Sequence, residues 1–276
     1  MKVMQMADAV RFRTMTTGEL RETFLIDDLF QPGQIELKYV DLDRTVIGSA
    51  VPTGEPLRLP TDDVLRASYF TERREFGVLN IGGAGQVTVN GVPFEIKRLD
   101  ALYVGRGNED VIFSSIDAAH PAEFHLLSYP AHAPHPTTLI HSAEQAKTVL
   151  GSQETANKRE ITRLIHLEGT QSCQLVMGFT QLASGSVWNT MPAHTHMRRS
   201  EAYLYFDLDA DQRVVHLMGP GNETRNIIVA NKQAVISPGW SIHAGVGTRN
   251  YTFCWGMGGE NQVYSDMDAL AISDLL

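Results

Sequence analysis

The chain has little cysteine, no long apolar run and no surplus of base. Its two cysteines among 276 residues, Cys173 and Cys254, sit in apolar strand-like runs, where they read as small buried side chains and not as a disulfide framework. Met1 to Asp8 lacks the apolar core of a signal peptide, and no stretch approaches membrane-spanning length, so a cytoplasmic protein without a membrane partner is expected. Acidic residues outnumber basic ones by 32 to 23, and a net charge of −9 argues against nonspecific nucleic-acid binding. The glycines of Gly82-Gly83-Ala84-Gly85 are followed by a strand pattern instead of a helix, which argues against a dinucleotide-binding turn. None of the ten histidines falls within residues 76 to 113.

The histidine motifs lie in the second half. In Met191-Pro192-Ala193-His194-Thr195-His196 the two imidazoles are two residues apart, so on a strand they share a face and can hold one ion between them. Glu201 lies at an odd offset from His196 and needs a turn through Met197 to Ser200 to rejoin them from the next strand. Pro238-Gly239-Trp240-Ser241-Ile242-His243 then delivers a third imidazole from a distant strand. Three imidazoles and a carboxylate suit a divalent first-row ion such as zinc, iron, nickel or manganese, with a position left for water or substrate.

Around this motif the chain reads as short strands. Thr17 to Leu25 carries a capped helical turn or two, and Ile35 to Val40 alternates apolar and polar residues as a half-buried strand does. Phe76 to Ile81, Gln86 to Val89 and Val92 to Ile96 form a ribbon, the last two joined by the hairpin signal Asn90-Gly91. Ala131 to Lys158 shifts toward Pro, His, Thr, Ser and Ala and reads as a crossing segment with a short helix from Ser142 to Leu150. Strand patterns then resume through Trp255. The expected fold is all-β: two double-stranded β-helix (jelly-roll) domains, a bicupin, with a few short helices. Residues 1–135 form the expected amino-terminal domain without metal ligands, and 136–276 the domain with the metal site.

Against the general cupin pattern, Gly is missing shortly before His194 and shortly after Glu201, and Trp240 stands at a Gly position. Longer runs are more specific. Glu72 to Glu75 leading to Asn80-Ile81-Gly82-Gly83, Asp100 to Gly105, Ser172 to Gly178, Ser186 to Pro192, and Ile236 to Pro238 continuing to Gly247-Thr248 resemble the 5-keto-4-deoxyuronate isomerases, or 4-deoxy-L-threo-5-hexosulose-uronate ketol-isomerases. The resemblance spans nearly the whole chain. It implies a bicupin, a homohexamer, one Zn2+ per subunit on His194, His196, Glu201 and His243, and an acidic sugar of pectin and glycosaminoglycan breakdown as substrate. At the carboxyl end the chain departs from the family pattern at Ala269 and Leu276.

Aldose–ketose conversion removes a proton beside a carbonyl and returns it one carbon away through an enediol, so it needs a Lewis acid and a positioned base. Glu168, His166 and Tyr205 are the candidate bases. The substrate carboxylate needs a cation, and Arg163, Arg198 and Arg199 are the candidates, with Arg249 also close after His243. Other readings of the same ligand set are a 5-deoxy-glucuronate isomerase, an Fe(II) cupin dioxygenase and a sugar-binding bicupin without catalysis.

Overall fold

The computed structural model describes all 276 residues, which pack as two compact units. One comprises residues 1–4, 28–145 and 164–176, the other residues 5–27, 146–163 and 177–276. The sequence reading divides the chain once, between 135 and 136; the units are built from interleaved segments.

The first unit holds a seven-stranded sheet in the order Lys2–Met4, Ile35–Val40, Val46–Ala50, Phe124–Pro130, Arg74–Asn80, Ala101–Val104, Thr138–Ile140. Its four-stranded sheet runs Leu57–Arg58, Val111–Ser115, Gly85–Val89, Val92–Ile96. The Asn90-Gly91 hairpin forms with Val89 opposite Val92 and both turn residues at positive φ, 47° and 80°, the backbone that a two-residue turn between twisted strands requires. Inward-facing Val78, Leu102, Val87, Phe113 and Phe124 fill this unit with one apolar core, and buried polar groups of the unit hydrogen-bond to one another, as where the Tyr103 hydroxyl donates to Glu75 at 2.7 Å.

The second unit repeats the plan. Its seven-stranded sheet is ordered Lys147–Leu150, Arg159–Ile165, Val176–Leu182, Thr252–Gly259, Arg199–Phe206, Gln233–Ser237, Leu25–Ile26, and its four-stranded sheet Trp188–Asn189, Ile242–Gly247, Val214–Gly219, Arg225–Val229. A short ribbon pairs His194–Thr195 with Asp268–Ala269 of the tail. Here the interior is polar: Glu201, Tyr203 and Tyr205 follow one another on one face of their strand, and the Tyr205 hydroxyl meets His216 Nδ1 at 2.7 Å.

Two helical turns precede this sheet. Asp8 caps Ala9–Phe12, and Thr16 with Glu19 forms a reciprocal capping box on Thr17–Phe24. The helix expected from Ser142 to Leu150 is a correction: only Ser142–Glu144 makes a 3₁₀ turn, and Lys147–Leu150 is an edge strand paired with Arg159–Thr162. Thr148 and Val149 are β-branched and lose little as a strand, where pairing supplies the hydrogen bonds a lone helical turn would lack.

Candidate metal centre and its cavity

The strand His194–Thr195 ends just before His196, and a turn in which Arg199 N–H donates to the His196 carbonyl at 3.1 Å starts the strand Arg199–Phe206. That turn resolves the odd offset and brings Glu201 back to the imidazoles. His243 comes from Ile242–Gly247, whose register sets it opposite Met218. Glu201 Oε2 lies 3.0 Å from both His196 Nε2 and His243 Nε2, and His243 Nε2 lies 3.1 Å from His194 Nε2. The three imidazole donors fall within 4.8 Å of one another.

The donor chemistry fits a metal ion. His196 Nδ1 sits 2.9 Å from the Arg199 carbonyl, which can only accept, so Nδ1 carries a proton and Nε2 turns its other valence toward Glu201. A cation must then lie between that nitrogen and the carboxylate, either a second proton or a shared metal. His243 Nε2 faces two such atoms, and one N–H cannot serve both. Donors that share one ion at about 2.1 Å stand roughly 3.0 to 3.4 Å apart, and the spacings here are 3.0, 3.0 and 3.1 Å.

Burial would raise the Glu201 carboxyl, but His243 and His196 more than offset that and hold it well below the usual carboxylate range. Burial likewise pulls His196 down while Glu201 pulls it further up, leaving it above its ordinary value. His194 is depressed to about 3 by burial and by His243 beside it, so it is a neutral donor at pH 7.

A cavity of about 400 Å³ opens onto this cluster, with His194 and Glu201 in its wall. Arg159, Ile161 and Arg163 enter it from alternate positions of one strand, faced across the ladder by Leu150 and Thr148. Thr190 and Tyr203 also line it, their hydroxyls 2.9 Å apart. Trp255 closes one side, its indole N–H donating to Thr180 at 3.1 Å. The ring fits because residue 178 is glycine; a Cβ there would meet the indole at 2.4 Å.

The KduI/IolB family model matches residues 29–272. The chain belongs to the KduI/IolB family. It is 55% identical, over 94% of its own length and 92% of the relative's, to the 4-deoxy-L-threo-5-hexosulose-uronate ketol-isomerase of Formosa agariphila. It is 47% identical to the enzyme of that name from Yersinia enterocolitica over the full length of both. Among solved structures, an IolB-like protein from Salmonella typhimurium superposes with a TM-score of 0.71 at 15% identity, covering 90% of this chain and 96% of the other. The fold is therefore an all-β cupin, and the chain an enzyme of the isomerase class.

Within this KduI/IolB chain the other residues singled out from sequence are scattered. Arg163 lines the cavity. Arg198 is exposed, 3.7 Å from Glu260. Arg199 is buried, pairs with Asp266 and donates to Met257 Sδ at 3.3 Å. Arg249 is an exposed partner of Asp209. His166 and Glu168 lie in residues 164–176 of the first unit, outside the cavity lining, and Tyr205 is fully buried against His216. Sequence reasoning passed over Arg159, Tyr203 and His216. The alternation of Arg159, Ile161 and Arg163 was the available signal for the first, and the spacing Glu201, Tyr203 for the second.

Proposed function

We propose that this chain is a Zn2+-dependent aldose–ketose isomerase converting 5-dehydro-4-deoxy-D-glucuronate (4-deoxy-L-threo-5-hexosulose uronate) to 3-deoxy-D-glycero-2,5-hexodiulosonate in pectin and uronate catabolism. The observation that carries this reading is the four-donor cluster opening onto a cavity with two arginines, in a chain about half identical to named ketol-isomerases over nearly its whole length. His194, His196, Glu201 and His243 hold the ion. Bound there, zinc supplies Lewis acidity to the carbonyl of the sugar.

The chain's own groups then divide the work. Burial keeps the Tyr203 phenol protonated far above neutral pH, so its O–H donates to the substrate oxygen that gains charge as the proton leaves carbon. The Thr190 hydroxyl, 2.9 Å from Tyr203, orients that donor. Trp255 and Phe253 give the cavity wall apolar surface, which favours exclusion of water.

The test is to supply the purified protein with the 4-deoxy-hexosulose uronate and follow the product by NMR while recording dissolved oxygen. Conversion without oxygen uptake is expected. Stoichiometric oxygen consumption would establish an Fe(II) dioxygenase instead, turnover of 5-deoxy-glucuronate alone a different isomerase, and binding without conversion a non-catalytic sugar-binding protein.

A further inference from the structure

We propose that Arg159 anchors the carboxylate of the acidic sugar, an inference that rests on the uronate reading above. Five arginines are near enough in sequence or space to be considered, and three of them are ion-paired outside the cavity. Arg198 points outward beside Glu260, Arg199 is spent on Asp266 and Arg249 on Asp209, while Arg163 lines the cavity and has a partner of its own. Arg159 differs. It is half-buried in the cavity wall, its Nη1 donates to the Asn157 carbonyl at 2.9 Å, and no carboxylate pairs with it.

A guanidinium carries five N–H donors in a planar fork, and here one is used. Taking such a charge partly out of water without a counterion is costly, so the balance is restored when an anion enters the cavity. The charged form survives the burial: its pKa is lowered by desolvation, opposed by the phenols of Tyr203 and Tyr251, and a guanidinium so placed stays protonated. The fork is also held in place. Asn157, which accepts from Arg159, uses its own Nδ2 to donate to the Met191 carbonyl at 3.2 Å, three residues before His194.

Tyr203 neighbours both groups: its ring lies 5.5 Å from that of His243, and its phenol is one of the two that act on Arg159. An acidic sugar gripped by Arg159 at one end and meeting His194 and Glu201 at the other therefore passes Tyr203, the donor assigned above. A cavity of about 400 Å³ is of the size that holds a ligand of six carbons.

The test is steady-state kinetics of Arg159→Gln and Arg159→Lys on the 4-deoxy-hexosulose uronate and on its analogue with the carboxyl reduced to a hydroxymethyl group, with metal content measured on each protein. Arg159→Gln should raise KM for the uronate about 10- to 100-fold with kcat and metal content near wild type, and leave KM for the neutral analogue unchanged. Arg159→Lys, which keeps the charge and loses the fork, should recover part of the loss. A KM within about twofold of wild type in the Gln variant, or an equal rise for the neutral analogue, would overturn the assignment. Should the Gln variant not fold, an unchanged KM in Arg159→Lys would overturn it as well. Wild-type turnover of the uronate in the same assay separates the two levels: its absence removes the isomerase reading, while its presence with an unaffected variant removes only the anchor.

Discussion

Tyr203 and Tyr205 stand two residues apart on one strand face, yet only the first reaches the cavity. Tyr205 is tied to His216 Nδ1 at 2.7 Å and shielded from the cavity, whereas the Tyr203 hydroxyl shares the wall with Thr190. Removing that hydroxyl takes away a donor to developing negative charge, so Tyr203→Phe should lower kcat about 100-fold with KM and zinc content little changed, as stopped-assay kinetics and metal analysis would show. A kcat within about threefold of wild type would mean that another group stabilises the charge. At this scale the sequence was informative where chemistry and spacing coincide. His194, His196, Glu201 and His243 stood out because three scarce imidazoles fall in two short motifs, and the structure brings all four together. The arginines were not separable by sequence, because which face of a strand is buried and whether a carboxylate waits nearby are set by residues far along the chain. Arg199 beside the ligands is neutralised by Asp266, 67 residues later, and Arg159 is left with a backbone carbonyl and no carboxylate.

Between elements, the turn that delivers His243 is braced from the amino terminus. Trp240 packs edge-on against Phe12 and Phe24, with ring centroids 5.3 and 6.5 Å apart, and those two phenylalanines sit in the capped helices Ala9–Phe12 and Thr17–Phe24. This accounts for a tryptophan where the general cupin pattern has glycine. Trp240→Gly should lose that packing and destabilise the protein by about 3 kcal/mol, read as a lower urea midpoint, and should weaken zinc retention in a chelator competition because His243 is three residues on. An unchanged midpoint and unchanged zinc retention would show the brace to be unimportant. The capped helix and the Asn90-Gly91 hairpin were readable because their signals are local. The strand Lys147–Leu150 was misread as helix because its decisive partner, Arg159–Thr162, lies across a loop, and pairing outweighs local propensity.

Over the whole molecule, the two units share a plan and differ in what fills them. The first has a continuous apolar core, and the second gathers three histidines and Glu201 into one cluster. The repeated all-β architecture was legible from strand spacing and the family resemblance; the interleaving of residues 5–27 and 164–176 was not, because no local pattern records which sheet a short segment joins. One buried histidine in the first unit gives a pH signature. Burial depresses His125 to about 4 against an ordinary 6.5, so between these values the unfolded chain binds a proton that the folded one does not. Stability therefore falls as pH drops from about 6.5 to 4, by about 3 kcal/mol in total from this residue. His125→Gln should flatten that slope in urea titrations at pH 7 and 5; an unaltered slope would assign the acid sensitivity to other groups.

The second unit has an exposed edge strand. Val149 and Leu150 present 59% and 43% of their surface on an outer strand, a template for a second chain, and we propose the homohexamer the family resemblance implies. Light scattering at micromolar concentration should give six times the 30.6 kDa chain mass, and a monomer would remove this proposal. The metal-dependent isomerase itself is tested most directly by measuring the initial rate of uronate isomerisation against zinc bound per subunit, after chelator stripping and stepwise return of the ion. The rate should rise in proportion to zinc and level off at one equivalent, with a His243→Ala variant neither retaining the ion nor turning over. Full wild-type turnover in the stripped protein would contradict it.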